Sequence, residues 1–214
     1  MTTLLIIRHG YSLGNKEKRF SGQADLPLDE AGCRQAEQTA QHVLSHYTVD
    51  AVYASDLSRA YDTVKPIAEA RGLPVCTDKA LREVDVGDWQ GKRIDEVERQ
   101  YPESFGLYKR KPGLVRFDGG ESYGTMLERA LPAVERIAEE NEGKTVVIGT
   151  HGGVIRVLRA VWTGVSLDQI EEIPHVANGS VTVVEYERGR VTLRLVGDTA
   201  HLSERVTEEG IRSK

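Results

Sequence analysis

The stretch Leu4-Leu5-Ile6-Ile7-Arg8-His9-Gly10 decides how this chain is read. Four apolar residues in a row suit a short strand buried on both faces, and Arg8-His9-Gly10 then turns the chain into a polar loop. Strands buried on both faces belong to parallel sheets covered by helices. Reading outward, the remaining segments alternate as that idea requires. Residues 29–46 form a helix opened by Asp29-Glu30-Ala31-Gly32, with Ala36, Ala40, Val43 and Leu44 on one side. Residues 50–54 are a second strand. Residues 58–71 are a helix capped from Ser55-Asp56 and stopped by Gly72, and residues 75–77 are a third strand. Residues 121–141 read as a long helix broken or bent near Pro132. Residues 144–149 are a β-branched strand. Thr150-His151-Gly152-Gly153 is a turn, and a helix continues over residues 154–162. Residues 180–186 and 190–196 are strands joined by the hairpin turn Glu187-Arg188-Gly189. The expectation is an α/β protein, three layers deep (α/β/α), with a mainly parallel central sheet.

The 214 residues are expected to form a single domain spanning 1–214. Residues 82–123 carry Trp89, Tyr101, Phe105, Tyr108, Phe117 and Tyr123 together with Pro102, Pro112 and Gly119-Gly120. They read as a partly helical, lid-like excursion inserted in that domain, and residues 198–214 as a polar, loosely held tail. Hydrophobic residues are 39% and charged residues 29%, which argues against wholesale disorder. With 28 basic against 33 acidic residues the net charge is −5, which disfavours a surface for nucleic acid or anionic lipid. A local basic pocket remains allowed. Cys33 and Cys76 are too few for a disulfide framework or a zinc site. No run approaches the ~20 apolar residues of a membrane span, and the apolar start is too short for a signal peptide, so the cytoplasm is the expected compartment. A homodimer is compatible with the sequence but not specified by it.

In sheets of this kind ligands sit beyond the carboxyl ends of the strands. The residues found there are Arg8-His9-Gly10, Ser55 to Arg59, Arg82-Glu83 and Thr150-His151-Gly152. Each group offers something that binds an anion or moves a proton. Arg8 and Arg59 can give bidentate, permanently charged hydrogen bonds to a phosphate dianion, and Asn15 a neutral one. Gly152 and Gly153, opening a helix, present free N–H groups at its positive end. His9 and His151 supply two imidazoles, one able to act as a neutral nucleophile and one to stay protonated beside the phosphate. Glu83 can protonate a departing alkoxide. Phosphoryl transfer runs on positioning and electrostatics, so this set works without a metal.

Residues 4–15, ending Arg8-His9-Gly10-Tyr11-Ser12-Leu13-Gly14-Asn15, resemble the N-terminal signature of the histidine phosphatase superfamily, also called the phosphoglycerate mutase-like family. Further segments match in order over residues 3–187. They are Ser21-Gly22-Gln23-Ala24-Asp25-Leu26-Pro27-Leu28, Tyr53-Ala54-Ser55-Asp56-Leu57-Ser58-Arg59-Ala60, Leu81-Arg82-Glu83-Val84-Asp85-Val86-Gly87-Asp88-Trp89, Gly119-Gly120-Glu121-Ser122 and Val147-Ile148-Gly149-Thr150-His151-Gly152-Gly153. The resemblance implies a phosphomonoesterase in which His9 becomes a phosphohistidine. It implies that Arg8, Arg59 and His151 form the phosphate pocket, with Asn15 and the Gly152 backbone assisting. Glu83 would be the proton donor and then the base that activates water. Ser21 and Gly22 would touch substrate, Asn178 would border the site, and the substrate would be a small phosphorylated metabolite.

Two features separate this chain from the mutases of that family. Val84-Asp85-Val86-Gly87-Asp88 carries no cation where those mutases grip a carboxylate, and the chain is shorter. A phosphoglycerate mutase-type transfer is therefore the alternative, not the first reading. A non-catalytic phospho-ligand binder would be expected to lack His9 or Glu83, and both are present. A nicotinamide-binding fold fails because no GxGxxG follows the first strand. His42 and His46 stand at i, i+4, but the segment HVLSH lacks the HExxH glutamate, so it reads as a helix face; no metal and no cofactor are expected. Lys109-Arg110-Lys111 reads as a solvated charge run. Trp89, Phe105 and Tyr108 could equally line a substrate lid or form its small core.

Overall fold

The structure is a computed structural model that describes residues 1–207 and 210–213, and for 204–207 and 210–213 the backbone alone. In chain order the elements are β1 (Thr2–Arg8), α1 (Leu13–Lys16), α2 (Glu30–His46), β2 (Ala51–Ala54), α3 (Ser58–Arg71) and β3 (Val75–Thr77). There follow α4 (Ile94–Gln100), α5 (Pro102–Arg110), α6 (Tyr123–Glu140), β4 (Thr145–Thr150), α7 (Gly152–Thr163), β5 (Val181–Glu187) and β6 (Arg190–Asp198). A separate hairpin of β7 (Glu204–Thr207) and β8 (Gly210–Ser213) closes the described chain.

The main sheet has the order β3-β2-β4-β1-β5-β6. The first four strands run parallel, and β5 and β6 add an antiparallel edge. β1 lies inside the sheet, so its apolar run is covered twice. Leu5 and Ile7 pack with Ala40 and Val43 of α2 and Val64 and Ile67 of α3. Leu4 and Ile6 point the other way, among Met126, Ile137, Val154 and Leu158 of α6 and α7. That two-residue alternation between two helix layers is the three-layer α/β/α architecture. All four side chains are buried, each worth roughly 1.5–3 kcal/mol of transfer free energy.

Three local expectations change. α3 is not capped by Ser55-Asp56: its N-cap is Leu57, and the Ser58 N–H donates to Asp25 Oδ1 at 2.7 Å. Ser55 is drawn to His151 and Asp56 to Arg82, so neither is left for the helix. α6 runs unbroken through Pro132 and starts later, after the Ser122 cap. The first part of the polar tail is packed, with Leu202 buried and His201 hydrogen-bonded to Thr39 and Gly179. Residues 208, 209 and 214 of that tail lie outside the described residues.

Candidate active site

Sheet register builds the site. β1 and β4 pair with Arg8 opposite Thr150, and the His9 N–H donates to the Thr150 carbonyl at 2.9 Å. His9 and His151 therefore leave neighbouring strands at the same level, with ring centroids 5.3 Å apart. β2 pairs with β4 through Ala54 and Gly149, which brings Ser55 to the same end. Its hydroxyl meets His151 Nε2 at 2.9 Å.

His9 Nδ1 lies 2.7 Å from the Gly10 carbonyl. A carbonyl only accepts, so Nδ1 carries the proton and Nε2 keeps its lone pair. Asn178 holds this arrangement from behind. Its amide donates to the carbonyls of His9 (3.0 Å) and Gly10 (3.3 Å) and approaches Asn15 Oδ1 at 3.4 Å. Asn178 is 2% exposed and borders the site from behind, where it positions the nucleophile loop. Burial, then Arg59 and then Arg8 push the His9 pKa well below its ordinary 6.5, against the pull of the Gly10 carbonyl. The ring is therefore neutral near pH 7.

Arg59 is 1% exposed and donates to the Ala24 (2.8 Å) and Gly22 (2.7 Å) carbonyls. Burial brings its pKa down to about 10, still charged at any relevant pH. Arg8 donates to the Val176 carbonyl at 2.5 Å, and its guanidinium lies against Gly152. His151 is fully buried. Burial, then Arg59 and His9, hold its pKa well below 6.5, so the chain by itself favours a neutral ring where the sequence suggested a protonated one. His151 Nδ1 and Arg59 Nε have no hydrogen-bond partner among the described residues. Buried polar atoms left in this way are uncommon.

Glu83 faces the start of α7. Its Oε2 accepts from Gly153 N at 2.9 Å and its Oε1 from Val84 N at 2.9 Å. A Cβ on residue 153 would stand 2.2 Å from Glu83 Oε1, which is why the second glycine is required. Arg129, which the sequence reading missed, organises this loop from α6. It forms a two-point pair with Glu121 (2.8 Å each) and donates to the carbonyls of Ala80, Arg82 and Glu83 at 2.7–2.8 Å. Glu121 also accepts from Asp85 N. Nothing in the local sequence signals this, because the partners are 8 to 49 residues apart.

A cavity of ≈ 390 Å³ opens from these groups, lined at its base by Arg8, His9, Asn15, Glu83, Gly152 and Gly153. His151 and Arg59 lie one layer deeper. Ser21 and Gly22 line the wall. The outer part is walled by Phe20, Phe105, Tyr108, Phe117 and Tyr123, with Lys18, Arg19 and Lys109 among them. The aromatics divide between core and cavity wall. Trp89 is a core residue with Phe20 and Phe117 edge-on at 5.0 and 5.1 Å, whereas Phe105 and Tyr108 reach the cavity. Lys109 is not simply solvated: it lines the cavity and pairs with Glu98 at 3.7 Å. Asp85 and Asp88 do not line it.

A neutral imidazole, two guanidiniums and a fixed carboxylate around one cavity suit a phosphoryl group and the proton that must follow it. The chain belongs to the histidine phosphatase superfamily (branch 1), whose family model matches residues 4–199. It is 33% identical over 204 residues to phosphoglycerate mutase-like protein 4 of Arabidopsis thaliana, covering 94% of this chain and 87% of that one. It is also 33% identical over 204 residues to phosphoserine phosphatase 1 of Hydrogenobacter thermophilus, covering 95% and 96%. Among solved structures, Bacillus stearothermophilus YhfR superposes with a TM-score of 0.90 at 34% identity, covering 94% of this chain and all of that one.

Proposed function

We propose that the chain is a phosphomonoesterase that hydrolyses a small phosphorylated metabolite through a phosphohistidine on His9, with no metal ion in the chemistry. The observation that carries this is the Nδ1 bond of His9 to the Gly10 carbonyl, which leaves Nε2 as the reactive atom. The substrate phosphate rests among Arg8, Arg59, His151, Asn15 and the N-terminus of α7. Nε2 attacks phosphorus in line as the ester P–O bond breaks, and protonated Glu83 gives its proton to the leaving oxygen. Glu83, now a carboxylate, takes a proton from water, which attacks the phosphohistidine. The N–P bond breaks, His9 is regenerated and inorganic phosphate departs.

The aromatic wall of the outer cavity suits a leaving group that is larger and less polar than serine. The phosphoserine named for one relative fits only as a minimal substrate. The mutase alternative draws on Lys18, Arg19 and Lys109, which bring to the cavity the cations absent after Glu83. A panel of phosphomonoesters scored by released inorganic phosphate decides between the two. Hydrolysis across the panel supports the phosphatase. Conversion of 3-phosphoglycerate to its 2-isomer without phosphate release overturns it. We assign the enzyme to the cytoplasm, a reading supported by two exposed cysteines that stay unpaired. Among the described residues no helix is long and apolar enough to cross a membrane.

A further inference from the structure

On the α2 side of the sheet, His42 on α2 meets two side chains from far along the chain, Asp198 at the end of β6 and His201 in the turn beyond it. One ligand atom from each lies within 4.8 Å of the other two. We propose that His42, Asp198 and His201 form a binding site for a zinc-type divalent cation that ties the segment after β6 to α2.

The hydrogen bonds prepare the nitrogens for that role. His201 Nε2 lies 3.1 Å from the Gly179 carbonyl, which can only accept, so Nε2 carries the proton and Nδ1 keeps the lone pair. A metal-binding histidine typically donates its other N–H to such a carbonyl. His42 Nε2 already faces Asp198 Oδ2 at 3.8 Å, and the other oxygen of Asp198 is fixed by the Ala200 N–H at 3.0 Å. His46, one turn on, has its ring 4.5 Å from that of His42. Its Nδ1 is held by the His42 carbonyl at 2.8 Å, and His46 lies outside the converging group of three.

Two imidazoles with a carboxylate suit Zn²⁺, Ni²⁺ or Cu²⁺. Bonds of about 2.0–2.2 Å require the donor atoms to close up from their present spacing. His42 and Asp198 are each about one-fifth exposed, so both can rotate to do so. The backbone is already in place. Gln38, one turn before His42, donates to Ser203 Oγ at 2.8 Å and accepts from Ser203 N at 3.3 Å. The site also backs onto the nucleophile loop, because the Gly179 N–H donates to the carbonyls of Arg8 and His9. The ion would brace the fold and take no part in phosphoryl transfer.

The test is calorimetric titration of the intact chain with Zn²⁺ in phosphate-free buffer, with melting temperature as second readout. One saturable equivalent is expected, with a zinc-dependent rise in Tm. Affinity should fall at least about tenfold in His42→Ala and in His201→Ala, and stay unchanged in His9→Ala. Asp198→Asn, which keeps the Ala200 contact, should weaken binding without unfolding the chain. No saturable binding, or binding unchanged in both histidine variants, would overturn the proposal. So would loss of binding in His9→Ala alone, which puts the ion in the phosphate pocket.

Discussion

At the scale of single residues, Glu83 is the most informative. An alkoxide needs a proton as it leaves and a nitrophenolate does not, and general acid catalysis is worth roughly 10²–10⁴-fold. Glu83→Gln should therefore cripple turnover of alkyl phosphates. With p-nitrophenyl phosphate it should give a burst of nitrophenol and then slow hydrolysis of the phosphohistidine. Equal loss on both substrates without a burst would remove Glu83 from the donor role. Glu121 is no substitute, because Arg129 engages both its oxygens. The two buried histidines make a second prediction. Their pKa values are lowered in the folded chain, so the unfolded chain binds more protons below the ordinary 6.5. Stability should then fall as pH drops below about 6.5, by up to about 1.4 kcal/mol per pH unit per histidine until the folded-state values are reached. Urea unfolding from pH 7.5 to 5.0 measures it. His151→Asn should flatten the slope, and a slope unchanged by that variant would contradict the assignment.

Among the elements, the ends of strands and helices carry the site, and sequence legibility follows the same division. α3 and β3 could be read to the residue and β1 by its four apolar residues, because apolar runs and the stop at Gly72 are local signals. The groups at strand ends were legible for the same reason. Arg129 was not, since its value lies in three carbonyls and a carboxylate brought together by the fold. Asn178 was placed beside the site from its segment, but sequence cannot say on which side of His9 its amide falls. Arg129→Lys keeps the charge and loses the two-point grip on Glu121. Hydrogen bonds to charged groups are worth about 1.5–3 kcal/mol, so kcat on alkyl phosphates should drop by about 10- to 100-fold. The loss on p-nitrophenyl phosphate should be smaller, and KM should change little. A uniform loss on both substrates would mean that Arg129 only supports the fold.

For the whole molecule, a chain of net charge −5 gathers five cations at one end of a sheet, where Arg8 lines the cavity base, Arg59 lies buried behind it and Lys18, Arg19 and Lys109 stand around it. Trp89 packs within the same core that holds Leu4, Ile6 and Met126, so Trp89→Ala should cost about 3–5 kcal/mol in urea unfolding and loosen the aromatic wall. A loss below about 1 kcal/mol would mean that the wall stands without it. The proposed chemistry uses only groups of the protein itself, so exhaustive chelation should leave kcat unchanged even where it lowers Tm through the His42 site. The central claim is that His9 is phosphorylated during turnover. Acid-sparing rapid quench with a good substrate, followed by peptide mapping, tests it most directly. The account predicts an acid-labile, base-stable phosphoryl group on His9, and essentially no activity in His9→Ala. A phosphoryl group on another residue, or near-normal turnover by His9→Ala, would contradict it.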